Sequence, residues 1–217
     1  MGELHDEAEV DEVAVDDEVA AVEGIGDPEI DLTTVYVTFS AEIDVKTTES
    51  LLSTMANLAN NDGVANVHLL LSTPGGSVMH GMNLYNVLRA MPFHLVTHNV
   101  GNVDSIGNVV FLAGDERYAC PQTTFMFHGV GMDQVAGGQR LEEKPLREFL
   151  DGIEASHRRI AAIIEERTNL SAAEIEPLFL ESTTKDAAYA VANGIVDGIQ
   201  PAAIPAGAPV LSLVFDR

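Results

Sequence analysis

The chain has 217 residues and a mass of 23.2 kDa, and 46% of its residues are apolar, enough to bury one substantial core. That composition excludes a chain that is disordered or fibrous throughout. No apolar run approaches the length of a membrane span and the first residues are acidic, so we expect neither membrane insertion nor secretion, but a cytoplasmic protein. The single cysteine, Cys120, cannot form an internal disulfide.

The formal net charge of −23 is distributed unevenly along the chain. Residues 1–30 contain 12 of the 34 acidic residues and no Lys or Arg. We therefore predict two parts: an acidic N-terminal arm at residues 1–31, unfolded on its own because its charges repel, and a folded domain at residues 32–217. The simplest interpretation of the arm is a solubilising segment. Nucleic acid is a poor candidate partner, because phosphate binding needs clustered Lys and Arg.

The first half of the folded domain alternates strand and helix patterns. Strands are predicted at residues 32–39, 64–72 and 93–100, and helices at 47–60 and 79–91. The second strand is apolar on both faces, as in a largely parallel sheet. The alternation predicts crossover units with helices on both faces of that sheet.

The second half is less regular. A turn is predicted to lead into a buried helix within residues 101–115, and a strand to follow at 123–130. The glycine-rich stretch at 131–140 is interpreted as irregular or extended. A long amphipathic helix is predicted at 141–168, a helix with a capping box formed by Ser171 and Glu174 comes next, and residues 185–199 indicate helix, glycine stop and short strand.

Ser105 lies between Gly101 and Gly107, directly before an apolar helical run. The positive end of a helix stabilises developing negative charge, which suits a nucleophile, but the commoner use of a serine at this point is as an N-cap. From the local sequence alone, the N-cap is the favoured interpretation. The turn at Pro74–Ser77 has a similar ambiguity, because its two glycines could direct backbone N–H groups at an oxyanion or could form an ordinary turn.

His128 ends an apolar strand and precedes a glycine, a setting that is rigid and yet open, as a general base requires. It is the most suggestive of the seven histidines. The histidines within strand patterns are interpreted as packing or edge residues: His68, His94 and His98. His5 and His157 are expected to be solvated.

Taken in order, the segments TPGGSV, GNVDSIG and MFH resemble the ClpP family of serine peptidases, over about Val35 to Ile199. The resemblance implies Ser105 as nucleophile, His128 as base, and the backbone N–H groups of Gly76 and Ile106 as oxyanion donors. It also implies an α/β fold of the ClpP/crotonase type, with repeated ββα units and a helical handle. By the same resemblance the subunits form a homo-oligomeric ring, an AAA+ unfoldase is a possible partner, and no cofactor is needed.

The sequence departs from the family pattern at the third triad position. Leu178 stands where the family carries its triad aspartate, and leucine cannot orient an imidazole. On a helix, Glu174 and Glu181 lie four residues before and three after Leu178, so either could project from the same face; Glu181 is preferred. Asp104 is a second departure, because a carboxylate beside the nucleophile could raise the pKa of the histidine or repel an oxyanion.

The leading hypothesis is therefore a Clp-type, ATP-dependent serine endopeptidase. Its substrates would be unfolded polypeptides that add as a strand along residues 131–140. A non-catalytic assembly or adaptor subunit is the first alternative, since loss of a triad aspartate can cost about 10⁴-fold in turnover. A crotonase-type acyl-CoA enzyme is the third possibility, because that related fold also holds an oxyanion with two backbone amides.

Overall fold

A computed structural model describes residues 31–131 and 142–215. The predictions for the acidic arm and for most of the glycine-rich stretch, residues 132–140, lie outside the described residues. No helix within the described ranges is long and apolar enough to cross a membrane.

The described strands form one mainly parallel sheet. They are β1 (Thr34–Ser40), β2 (Asn66–Thr73), β3 (His94–Asp104), β4 (Glu116–Ala119), β5 (Thr124–Phe127), β6 (Thr183–Asp186), β7 (Gly198–Ile199) and β8 (Val210–Ser212). The main order is β6-β5-β3-β2-β1-β8, with β4 beside β3 and β7 beside β4. Only the pair β5 and β6 is antiparallel among these strands.

Six helices accompany the strands in the described part of the chain. They are α1 (Val45–Ala59), α2 (Val78–Arg89), α3 (Gly107–Phe111), α4 (Glu143–Arg167), α5 (Ala172–Glu181) and α6 (Ala187–Ala192). The capping box predicted for Ser171 and Glu174 is present at the start of α5. Gly194 follows α6 with a φ of 66°, as expected of a glycine that ends a helix.

Helices α1 to α4 form one layer, so the prediction of helices on both faces is wrong for the described residues. Odd-numbered residues of β1 and β2, such as Val37 and Leu69, share a core with Leu51 of α1 and Leu84 of α2. Side chains on the opposite face, such as that of Leu70, lie outside that core. The reason is the strand order: β1, β2 and β3 follow one another in a single direction, and successive right-handed crossovers then stay on one side.

The largest local difference from the predicted elements is in β3. Residues 101–104, predicted as a turn, continue the strand, because β3 changes partner along its length. Its residues 96–99 pair with β4 and its residues 102–104 pair with β5. Helix α3, which follows β3, is only five residues long. The sequence patterns did not predict strands β4, β6 and β8.

Candidate active site

Three neighbouring strands end at one edge of the sheet. β2 ends at Thr73, β3 at Asp104 and β5 at Phe127, and all three are parallel. The residues that follow them therefore meet at the same edge, where ligands of open α/β sheets commonly bind. Ser105 and His128 line one cavity of about 930 Å³ there, together with Gly76 and Ile106.

Ser105 has a left-handed backbone, with φ of 56°, and both its N–H and its carbonyl oxygen are hydrogen-bonded. Its N–H donates to the carbonyl oxygen of Met126 at 2.8 Å. The buried amide of Asn108 donates to the carbonyl oxygens of Ser105 and Met126, at 3.0 and 2.8 Å. A left-handed serine costs on the order of 1–3 kcal/mol and persists only where surrounding bonds hold it.

The N-cap interpretation of Ser105 is wrong. Helix α3 begins at Gly107, its N-cap is Ile106, and no side chain bonds to the first turn. The hydroxyl of Ser105 is thus not used in capping and belongs to the cavity wall.

The glycine turn after β2 is anchored on the loop between β1 and α1. The N–H of Ile43 donates to the carbonyl of Gly75 at 2.7 Å, and the N–H of Ser77 donates to the carbonyl of Ile43 at 2.8 Å. Gly76, with a φ of 141°, lies against the carbonyl of Ile43, where no side chain fits. The glycine is required here by both conformation and space.

The backbone N–H groups of Gly76 and Ile106 have no acceptor among the described residues. Ile106 is only 1% exposed, and a buried N–H without a partner is rare in folded proteins. Gly76, by contrast, is exposed. Both residues line the cavity with Ser105, so their two N–H groups could together bind an oxyanion.

His128 directly follows the last residue of β5 and is half-buried. Its ring makes no hydrogen bond to Ser105 or to any other residue in the described ranges. In unliganded sites such bonds are often long and tighten only when substrate binds. The structure therefore brings the serine and the histidine to one cavity without a direct bond between them.

The two glutamates considered for the third triad role occupy different positions. Glu181 is the exposed last residue of α5 and is not among the residues that line the cavity. It lies two residues before Thr183, which pairs with Phe127. Glu174 accepts from the hydroxyl and the N–H of Ser171, at 2.6 and 2.9 Å, and these bonds lower the pKa of its carboxyl.

Leu178 and Asp104 also have defined surroundings. Leu178 is 5% exposed and packs in the main core. Asp104 accepts from the side-chain amide of Asn102 at 2.5 Å and does not line the cavity. Asp104 is thus engaged by its own strand rather than by His128.

Two residues near the site were not identified from the sequence. Asn108 had a signal, since a lone polar residue interrupts an apolar run, and a buried amide must find partners. His157, expected to be solvated, is instead half-buried, and its Nε2 accepts from the N–H of Val130 at 2.7 Å. That contact joins residues from distant parts of the chain and has no local pattern.

The parallel sheet, the single helix layer and the cavity at the strand ends define an α/β protein of the ClpP type. A family model described as Clp protease matches residues 31–202, and the chain belongs to that family. A mutant of ClpP1 from Listeria monocytogenes has the same fold, with a TM-score of 0.65 and 21% sequence identity. The match covers 76% of this chain and 90% of that one. The family and fold predicted from the sequence are thereby confirmed.

Proposed function

We propose that this protein is a serine endopeptidase that hydrolyses peptide bonds of unfolded polypeptides. The observation that carries the proposal is the shared cavity of Ser105 and His128, which includes two unpaired backbone N–H groups. Membership of the Clp protease family supports the same chemistry.

In the proposed mechanism Ser105 Oγ attacks the scissile carbonyl carbon while His128 takes its proton. The carbonyl oxygen becomes an oxyanion that accepts from the N–H groups of Gly76 and Ile106. His128 then returns the proton to the leaving amine, and water hydrolyses the acyl-enzyme by the same route. The chemistry as proposed uses no metal or organic cofactor.

The wall of the cavity suits an apolar substrate side chain. Four apolar side chains of β5, α4 and α5 contribute to it: Phe127, Ile160, Ile164 and Phe179. Two acidic residues, Glu42 and Asp44, also line the cavity. Asp44 is already engaged as the N-cap of α1, and the bond from the N–H of Thr47 lowers the pKa of its carboxyl.

Glu181 is proposed as the third member of the site. The pairing of Thr183 with Phe127 supports the assignment, since it brings the end of α5 toward the chain at His128. Glu181→Gln should then slow acylation, by as much as about 10⁴-fold if the carboxylate acts as a triad aspartate does. Glu174→Gln is the matched control, because that carboxylate is bonded to Ser171. Equal rates in the two variants would remove Glu181 from the mechanism.

A homo-oligomeric ring and an AAA+ unfoldase are proposed as partners. Three apolar side chains in the first half of α4 support self-association: Leu146, Phe149 and Leu150 are 48%, 37% and 54% exposed. Their spacing places them on one face of the helix. Native mass spectrometry should show an oligomer that Leu150→Glu shifts toward the monomer. A wild-type monomer at micromolar concentration would argue against the ring.

The test of the activity is covalent labelling with a fluorophosphonate, in which Ser105 Oγ displaces fluoride from phosphorus. We expect one adduct by intact mass, absent in Ser105→Ala and at least strongly reduced in His128→Ala. An adduct that persists in Ser105→Ala would place the nucleophile elsewhere. No adduct on the folded, assembled wild type would reject a competent nucleophile in that state.

A non-catalytic assembly or adaptor subunit is the second candidate, and one observation favours it. The aspartate position is occupied by buried Leu178, and no carboxylate in the described ranges bonds to His128. This candidate predicts an oligomer that assembles normally but takes up no fluorophosphonate. Measuring assembly and labelling on the same sample separates the two functions.

A further inference from the structure

The chain immediately after His128 is held by two helices rather than by the sheet. The strand ladder of β5 ends at Phe127, which pairs with Thr183. Beyond it, the N–H of Gly129 donates to the carbonyl of Phe179 on α5 at 2.8 Å. The N–H of Val130 donates to Nε2 of His157 on α4 at 2.7 Å.

The two anchors support each other. The rings of His157 and Phe179 are stacked, with centroids 5.2 Å apart and an interplanar angle of 28°. Phe179 and Val130 also line the candidate active-site cavity, whereas His157 lines a smaller groove of about 310 Å³ that Phe179 shares. His157 therefore lies behind the cavity wall and bonds to the segment that carries the candidate base.

The bond from Val130 places a requirement on the imidazole. Nε2 accepts a hydrogen bond only when it carries a lone pair, so the ring must be neutral with its proton on Nδ1. Protonation would turn Nε2 into a donor that faces another donor, and the Val130 N–H would lose its partner. Loss of the only hydrogen-bond partner of this half-buried N–H among the described residues is unfavourable.

We propose that His157 is a positioning residue for the candidate base: its neutral Nε2 holds Val130 and so fixes His128 at the edge of the cavity. This inference rests on the proposed peptidase function. His157 does not touch the reacting atoms and acts only through the backbone of residues 129–130. A displacement of the base of about 1 Å can cost on the order of 10²-fold in rate.

The pH dependence of the rate should carry the signature of this role. Both His128, as base, and His157, as acceptor, must be neutral for rapid acylation. The charged groups that share the groove of His157 are Glu154 and Arg158 on α4 and Glu176 on α5, and Glu154 lies 3.8 Å from Arg158. In the segment that His157 holds through Val130, the nearest titratable residue is His128. Protonation of either imidazole should then slow the reaction.

The experiment compares two variants of the full-length protein by their rates of fluorophosphonate labelling. His157→Phe keeps an aromatic ring that can stack on Phe179 but removes the acceptor. His157→Gln restores an acceptor at a similar distance and does not titrate. His94→Gln is the control, because His94 is an exposed residue at the start of β3 and is not among the residues that line the cavity.

We expect His157→Phe to label between about tenfold and about 10²-fold more slowly than wild type, with an unchanged circular dichroism spectrum. His157→Gln should recover most of the rate at neutral pH. Its rate should fall less in acid than the rates of the wild type and of His94→Gln do.

The failure of this inference is distinguishable from the failure of the proposed function. The role of His157 alone would be overturned if the wild type labels at Ser105, His157→Phe labels equally fast, and the rate of His157→Gln falls in acid as much as that of the wild type. A wild type that does not label would overturn the peptidase function and this inference with it. Should His157→Phe fail to fold, His157→Gln alone tests the proposal. A fall of its labelling rate in acid equal to that of the wild type would overturn the role of His157.

Discussion

Gly75 lies so close to Ser105 that a Cβ on Gly75 would come within 2.6 Å of the Ser105 Cβ and 2.8 Å of the Asp104 carbonyl oxygen. Gly75 is buried and has a φ of 90°, which side chains rarely adopt. The glycine turn after β2 and the serine turn after β3 are therefore packed backbone against backbone. The position of the candidate nucleophile depends on a residue that does not itself take part in the chemistry.

Gly75→Ala should abolish fluorophosphonate labelling of Ser105, because the new methyl group displaces the serine. The strained backbone alone should lower the free energy of unfolding by on the order of 1–3 kcal/mol. Gly152→Ala is the control, since nothing lies within 4 Å of a Cβ there and the site is within α4. That variant should gain about 0.5–1 kcal/mol and label normally. Normal labelling of Gly75→Ala would contradict the packing described.

Ser105→Gly and Ser105→Ala should both lose labelling but differ in stability. Alanine keeps the cost of the left-handed backbone at φ of 56°, whereas glycine removes it. We expect the glycine variant to be more stable than the alanine variant by about 1 kcal/mol in urea unfolding. Equal or reversed stabilities would show that Ser105 is not held in the left-handed region in solution.

Asn108→Asp should impair both stability and labelling. The amide of Asn108 donates to the carbonyls of Ser105 and Met126, and a carboxylate would instead present negative charge to both. We expect a loss of several kcal/mol in the free energy of unfolding at neutral pH, partly recovered in acid when the carboxyl regains a proton. The control is Asn57→Asp on the exposed side of α1. If both variants unfolded at the same urea concentration, Asn108 would not be the link between the two strand ends.

His98 should make the protein less stable in acid. Burial is the main effect on its pKa and lowers it below the usual 6.5, while the hydrogen bond to the carbonyl of Gln200 opposes the shift. The folded state thus binds this proton more weakly than the unfolded chain does. Its contribution is complete above a pH of about 6.5 and is lost as the pH falls through the lower folded pKa.

We expect the midpoint of thermal unfolding to fall less between about pH 7 and about pH 5 in His98→Gln than in the wild type. The glutamine amide can still donate to the carbonyl of Gln200 but does not titrate. Parallel falls in the two proteins would assign the acid sensitivity to other groups.

The sequence predicted the parts of the site that depend on local patterns. Ser105 precedes an apolar helical run, His128 follows an apolar strand, and their order along the chain carried the family resemblance. The left-handed conformation of Ser105 and the bond from Val130 to His157 had no such signal. They result from pairing between β3 and β5 and from packing of α4, which bring together residues far apart in the sequence.

The same distinction holds for the fold. Strands β1, β2 and β3 were predicted because they are long and apolar, whereas β8 has three exposed residues and no alternation. Helices were predicted on both faces because the alternation of strand and helix does not reveal strand order. The observed order, in which β2 lies next to β1 and β3 next to β2, decides that these helices share one face.

The pairing of β1 with β8 has a consequence for synthesis on the ribosome. β2 and β3 can join β1 in the order in which they are made, but the other edge of β1 waits for Val210–Ser212. Until those residues emerge, Tyr36 and its neighbours present unpaired N–H and C=O groups to other nascent chains. That edge of β1 therefore stays open until the other seven described strands have all been made.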